Sequence, residues 1–432
     1  MKKKLTLCAL SAFLGLAAAA YPQDVNTEGT DAEAYELEED PIEQVKQHFE
    51  SIGMEYPLKD AYTDYDNKNF DKMLFDADMV LSVFPLDIEA RFLKGSAYLG
   101  KLDYKNAMVY YMPLYMQELD SRVPNIIWTI AKNDPALVLD LFEKNIKKVG
   151  DDEDSKPLKL AMYDCIGYCY RMLGQNRKAA SEIFPTALML TDDEDNKVYE
   201  SMSIAVSWLK VGDGAEAYRI LDSLNPSISD NDVIHLKALA LREQNKMPEA
   251  IALLKKTLAD QALELDLASD LGSFLTITGQ YEEALSVFNS ALDSLAAYDE
   301  YMDDDYSIAH KADLMLRRGV ISQLKGDEEN AKKDFEAVVA MGDSGYELNA
   351  KARLGRIDEI EKLFLEEPGF DPLSIAALYG AANKPEKAMP YLEKAFELQQ
   401  ITPTALKYDI NLMKMQKAPG YAEAVKKFDP SK

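Results

Sequence analysis

From about residue 41 onward, apolar positions recur three and four apart in short segments, the spacing of helices that bury one face. No stretch shows sustained period-two alternation, so strands are not expected. The helical segments come in pairs, and the pairs repeat at roughly 34 residues, the period of a helical-hairpin array. A register mark, usually a small residue, falls early in each second segment: Met73, Ala107, Val138, Ala179, Ala217, Ala250, Ala284, Ala331, Ile360 and Ala388. Intervals between marks run from 28 to 47 residues, so register inside each unit is kept while loop length varies.

Three more positions repeat in phase. Twelve residues before the mark the side chain is small at Ala61, Gly95, Gly167, Ala205, Ala238, Gly272, Gly319 and Ala376, with Ile126 and Leu348 as exceptions. Two helices of a hairpin approach most closely there, and a large group would push them apart. Five residues before the mark stand Asn133, Gly174, Gly212, Asn245, Gly279, Gly326, Gly355 and Asn383, residue types that turn a chain out of a helix through the left-handed region. Four residues after it stand Tyr111, Phe142, Ile183, Leu221, Leu254, Phe288, Phe335, Phe364 and Leu392, which are expected to fill the space between one hairpin and the next.

In the unit 265–298, Leu271-Gly272, Gly279, Tyr281, Ala284, Phe288 and Ala291 fall in the order and spacing of the tetratricopeptide family, and units 88–121 and 311–344 are nearly as close. The chain resembles that family over about 59–402. The family's early Trp is missing from its usual place, and its terminal Pro survives clearly only at Pro85. The resemblance implies an all-α fold: about ten antiparallel helical hairpins in a right-handed superhelical solenoid, the first helix of each lining the concave face. Carried over residue by residue, that face holds Phe92, Tyr168, Arg171, Tyr199, Lys210, His235 and Arg242. An aromatic and basic groove of this kind suits an extended or helical peptide. The Lys and Asn of a carboxylate clamp are replaced by Phe92 and Ser96, and later by Asp164 and Tyr168, so that specialisation is not expected.

The flanks read differently. Residues 1–20 begin with Lys2-Lys3-Lys4, continue in an apolar run from Leu5 and end in Ala18-Ala19-Ala20. This is the build of a secretory signal peptide cut near Ala20, of bacterial style, and it implies a periplasmic or secreted protein. Cys8 lies too early in it for a lipid anchor, and no later stretch is long enough to span a membrane. Residues 21–40 are acidic and poor in large apolar groups, a disordered tether. A capping helix is expected within 41–58, with Pro41 at its first position. Residues 403–432 are expected to hold capping helices, one of them over ALKYDINLMKMQ.

The formal charge is −27, and cleavage after Ala20 removes three lysines and no acid, taking it to −30. Such a field excludes nucleic acid and disfavours an anionic membrane, while keeping a long array soluble. The acidic runs at 151–154, 192–195 and 303–305 lack the turn-forming Gly of a calcium loop and read as solvated helix caps. The 293–310 insertion, with Tyr298, Tyr301 and Tyr306, either extends two helices or contacts a partner. Cys165 and Cys169, four apart on one helix, read as small packing residues. His48, His235 and His310 stand in separate segments, and there is no phosphate loop, HExxH or GxSxG. No catalytic residue, metal or cofactor is assigned, and the chain reads as no enzyme but an exported scaffold that binds a protein or peptide in its groove. A glycan-binding envelope protein is the alternative: 24 Tyr favour it, two Trp weigh against it. A hydrolase using two carboxylates on a helical scaffold ranks below both.

Overall fold

The computed structural model describes residues 41–224, 231–260, 264–298, 305–342, 345–366, 370–412, 415–416 and 418–428. The expected signal peptide and tether lie outside the described residues, as does 299–304 within the insertion. The described residues contain helices and no strand. The chain divides between Leu173 and Gly174 into two compact units.

The N-terminal unit contains α1 (Pro41–Ser51), then α2 (Ala61–Asp66) with α3 (Phe70–Val83), α4 (Ile88–Gly100) with α5 (Tyr104–Met116), α6 (Val123–Asn133) with α7 (Pro135–Asn145), and α8 (Lys156–Met172). The C-terminal unit opens on a helix in three parts: α9 (Asn176–Lys178), a π-turn at Ala179–Ile183 and α10 (Phe184–Leu188). Pro185 has no N–H to offer the preceding turn, which accounts for the wider loop there. Six hairpins follow: α11 (Glu194–Lys210) with α12 (Gly214–Asp222), α13 (Asn231–Glu243) with α14 (Met247–Asp260), α15 (Leu265–Ile277) with α16 (Tyr281–Tyr298), α17 (Asp305–Lys325) with α18 (Glu328–Ala340), α19 (Glu347–Arg353) with α20 (Glu361–Glu366), and α21 (Pro372–Ala381) with α22 (Pro385–Glu397). The insertion thus lengthens α16 and α17 at their facing ends. The tail holds α23 (Pro403–Lys407) and α24 (Tyr421–Lys427).

Within the C-terminal unit, first helices touch the next first helix: α11 meets α13, α13 meets α15, and α15 meets α17. No comparable pairing joins α12 to α14 or α14 to α16. The first helices therefore line the tighter, inner side of the curve.

Acid starts the helices. Asp87, Asp103, Asp134, Asp193, Asp213, Asp327 and Asp371 each accept the backbone N–H three residues on. Each also sets a negative charge on the positive end of a helix dipole. Asp193 belongs to one acidic run, and Asp152, in another, accepts the Ser155 N–H in the same way.

The turns follow the register with one departure. Seven of the eight Gly and Asn residues named above have positive φ, and Lys68 and Leu102 adopt the same conformation at that position in the first two hairpins. Asn133 does not; it ends α6, and Asp134 followed by Pro135 starts α7 at once, leaving no room for a left-handed residue.

The large residue four after the mark reaches the next hairpin, as Phe364 does with Tyr379 of α21 at 5.3 Å between ring centres, and Phe335 does under Arg353 of α19. It also packs on the first helix of its own hairpin. A Cβ added at Gly95 would lie 2.8 Å from the Tyr111 ring, at Gly272 2.3 Å from the Phe288 ring, and at Gly319 2.7 Å from the Phe335 ring. In three hairpins the first-helix residue is Ala, namely Ala205, Ala238 and Ala376, and the residue sixteen further on is Leu221, Leu254 or Leu392, all fully buried. In these six hairpins Gly takes a ring and Ala takes Leu, so the pair keeps its summed volume; Gly167 with Ile183 and Ala61 with Ala77 do not follow the rule.

The tail also departs from expectation. The helix over ALKYDINLMKMQ stops at Lys407, because the Asp409 carboxylate accepts the N–H groups of Asn411 (2.8 Å) and Leu412 (2.9 Å) and closes a local turn instead. Ile401, Leu406, Leu412, Met415 and Ala424 bury themselves with α21 and α22, covering the apolar end of the array.

Candidate functional site

Stacking first helices brings residues about one repeat apart onto a common inner face. On α13 and α15, His235 Nδ1 meets Asp270 Oδ2. On α15 and α17, Asp266 Oδ1 meets His310 Nε2 at 3.1 Å, and the Ser269 hydroxyl donates to Asp313 at 2.5 Å. Arg317 donates through Nε to both Asp313 oxygens (2.9 and 2.8 Å) and through a terminal nitrogen to the Ser273 hydroxyl (2.6 Å). The face is thus a polar band crossing three helices.

Burial sets its electrostatics. Burial works against charge on Arg317, yet Asp313 outweighs it and holds the guanidinium above its ordinary range. Burial likewise opposes a proton on His235, and Asp270 outweighs it, raising the imidazole. Arg242 goes the other way: burial lowers it, and its Nε has no hydrogen-bond acceptor. Burial raises the Glu243 carboxyl.

The tail runs against this face. Asn176 donates its backbone N–H (3.2 Å) and side-chain amide (3.1 Å) to the Gln399 Oε1. Lys210 Nζ donates to the Gln400 carbonyl at 2.7 Å, and the Thr402 hydroxyl to Glu243 at 2.7 Å. The Tyr408 hydroxyl reaches Asn245 Oδ1 at 3.4 Å. Asp409, raised by burial, feels the charges of Arg242 and Arg317. Arg353 of α19 donates to Asn411 at 2.5 Å and to Gln323 at 3.2 Å. A segment of about a dozen residues therefore touches the C-terminal unit from Asn176 to α19, through these polar groups and through the side chains of Tyr408 and Ile410.

The seven residues carried over from the family pattern fall in both units. In the N-terminal unit Phe92 is 6 % exposed, edge-on to Tyr111, and the Arg122 guanidinium lies 3.6 Å from its ring centre. That guanidinium also holds Glu89 (2.7 Å), Asp120 (2.5 Å) and the Tyr62 hydroxyl (2.8 Å). Tyr168 is half-buried against Trp128, with its hydroxyl pushed up to about 12 by burial, and Arg171 is half-buried on the same helix. In the C-terminal unit Tyr199 is half-buried on α11, and Lys210 holds the tail. His235 and Arg242 share Asp270 as a charged neighbour.

Sequence reasoning missed Glu243, Asp270, Asp313, Arg317 and Asp409. Asp270 and Arg317 each stand fourteen residues before their marks, and His235 fifteen before its own. Comparing one register position across neighbouring units, not searching within a segment, was the signal that finds them. Cys165 and Cys169 are buried free thiols, the Cys165 thiol pushed up by its contact with Cys169 and by burial. Among the described residues no group of three or more His, Cys, Asp or Glu is placed to hold a metal, and no helix is long and apolar enough to cross a membrane.

Comparison with known proteins matches the tetratricopeptide repeat to residues 373–402, the α21–α22 hairpin and the start of the tail. No curated protein matches the chain. Among solved structures, a tetratricopeptide repeat protein from Parabacteroides merdae is similar at 11 % identity over 69 % of this chain and 94 % of its own, with a TM-score of 0.38. The complex described as Naa15/Naa10 bound to HypK-THB contains a chain similar at 16 % identity, over 90 % of this chain and 63 % of that one, with a TM-score of 0.34.

Proposed function

We propose that this array of tetratricopeptide-type hairpins is an exported scaffold whose C-terminal unit binds an extended segment of another protein on its inner face. One observation carries the reading: the face already holds a stretch of polypeptide, 399–411, through donors and acceptors on four different elements. A surface that recognises main-chain carbonyls and short polar side chains recognises protein. The signal-like residues 1–20 support export to a bacterial periplasm or beyond. Neither Trp favours the glycan alternative: Trp128 meets the edge of Tyr168, and Arg177 lies 5.6 Å from the ring centre of Trp208.

The test is photocrosslinking in the native envelope fraction. A crosslinking residue replaces Tyr199 on the inner helix α11 or Leu365 on the second helix α20, in the wild-type chain and in one carrying Thr402→Ala and Tyr408→Ala. A discrete protein adduct at position 199 and none at 365 is expected. Adducts of equal pattern at both positions, or none at 199 in either background, overturn the reading.

A further inference from the structure

The segment 399–411 has two unlike sides. Of its apolar side chains, Ile401, Leu406 and Leu412 are buried with α21 and α22, while Tyr408 and Ile410 rest on the clusters of the preceding hairpins. Its polar groups face the array, and each contact there joins residues far apart in sequence: Gln399 to Asn176, Gln400 to Lys210, Thr402 to Glu243, Tyr408 to Asn245, Asn411 to Arg353. The polar side is the separable one, since water replaces each hydrogen bond at small net cost.

The fit on that side is incomplete. Arg242 is 8 % exposed, and its Nε finds no acceptor. Asn176 is 1 % exposed, and its Oδ1 finds no donor. Buried polar atoms of an optimised core are paired. Asp409, the one acid of the segment, feels the charges of Arg242 and Arg317, but its Oδ1 is engaged by the N–H groups of Asn411 and Leu412. The face is therefore covered by an occupant that leaves part of it unmet.

We propose that residues 399–411 are an internal stand-in for the partner, and that a partner binds by displacing their polar side with an extended segment offering a main-chain carbonyl to Lys210, a hydroxyl to Glu243 and a free carboxylate to Arg242. This rests on the scaffold reading and adds its regulation: the face is closed at rest and opens by exchange of one segment for another. The acidic residue is the discriminating feature, because an acceptor at Arg242 Nε is what the internal segment withholds.

The experiment uses the full chain from about Tyr21 and a fluorescent peptide with the sequence of residues 399–412. A loosened chain carries Gln399→Ala, Thr402→Ala and Tyr408→Ala, leaving the apolar anchors in place. If the internal segment occupies the face nine-tenths of the time or more, the intact chain binds the peptide at least about tenfold more weakly than the loosened one. Adding Lys210→Ala and Glu243→Gln to the loosened chain removes the gain. Hydrogen exchange gives an independent reading: 399–411 exchanges faster in the loosened chain while α21 and α22 keep their protection. Equal peptide affinity for intact and loosened chains overturns the proposal. So does exchange in which 399–411 opens only together with α21 and α22, which makes it ordinary core. A concentration-dependent dimer of the loosened chain assigns the face to a second copy and overturns the partner reading. Peptide binding that succeeds while crosslinking at position 199 captures nothing keeps 399–411 as a displaceable segment but overturns the scaffold reading, and the partner with it.

Discussion

Gly272→Ala tests the rule that pairs Gly with a ring and Ala with Leu. The added Cβ would meet the Phe288 ring at 2.3 Å, more than an ångström inside ordinary contact. Phe288 is fully buried, so the ring has no solvent to move into. Overpacking of this kind costs about 1–3 kcal/mol. Ala gains up to about 1 kcal/mol over Gly inside a helix. The net expectation is destabilisation by about 1–2 kcal/mol, the overpacking term outweighing the propensity term. Phe288→Leu alone leaves a void over Gly272 and costs a similar amount, roughly 1–2 kcal/mol. The double variant recreates the Ala–Leu pair found at Ala205 with Leu221, Ala238 with Leu254 and Ala376 with Leu392, and it should lie well above the sum of its parts. A favourable coupling of about 1–2 kcal/mol is expected from a cycle between touching residues. Urea unfolding followed by far-UV circular dichroism gives the three midpoints. A neutral or stabilised Gly272→Ala, or strictly additive costs in the double variant, refutes the volume rule.

Arg122→Ala strips the cover from Phe92 and leaves the buried Asp120 without its cation; because Arg122 is 40 % exposed and partly screened, a loss of about 1–2 kcal/mol is expected in the same urea assay. Arg122→Lys should recover only part of it, since Lys lacks the planar fork that holds Asp120, Glu89 and Tyr62 together. His235 is raised by Asp270, with Arg242 and Asp232 as its other charged neighbours, so its contribution to stability is complete below about pH 6.5 and lost as pH rises through its folded value. Melting temperature should therefore fall from pH 6 toward pH 9, and His235→Gln should flatten that slope; an unchanged slope counts against the pairing. Asp266 is lowered by its hydrogen bond to His310, so the opposite holds for it: Asp266→Asn should lose nothing at low pH and most near neutrality. The intact mass of the protein from the periplasm or culture medium should begin at Tyr21; a mass retaining residues 1–20 removes the export reading.

Much of the fold was legible because an array repeats its requirements. The turns at Gly279 and Asn245, the small residues facing Phe288 and Leu254, and the Asp caps each obey a rule confined to one hairpin, and repetition separates rule from accident. Where a unit met the requirement by other means, the pattern misled: Asn133 is no left-handed turn, and Leu102 is one despite its side chain. The inner face was less legible. Lys210, His235 and Arg242 lie on first helices, but Lys210 and His235 owe their contacts to Gln400 and Asp270, 190 and 35 residues away, and Arg242 feels Asp270 and Asp409 besides its neighbour Glu243. No local period encodes those distances. The tail in particular reads as a helix by its apolar spacing, and only Asp409, as a competitor for backbone N–H groups, tells against it.

The charged groups of the inner face follow a common logic with the tail. Arg242, Glu243 and Asp409 are all shifted by burial toward their neutral forms. A face kept dry by an occupant that pairs its charges imperfectly stores that cost in the resting state. Removing the polar side of 399–411 returns Glu243 and Arg242 to water and relieves it, so release is easier than the number of hydrogen bonds suggests. An incoming carboxylate then meets Arg242 and closes the face again with the pairing that Asp409, engaged by its own backbone, does not supply. Affinity and release come from the same buried arginine: the better an occupant satisfies its Nε, the more tightly that occupant holds.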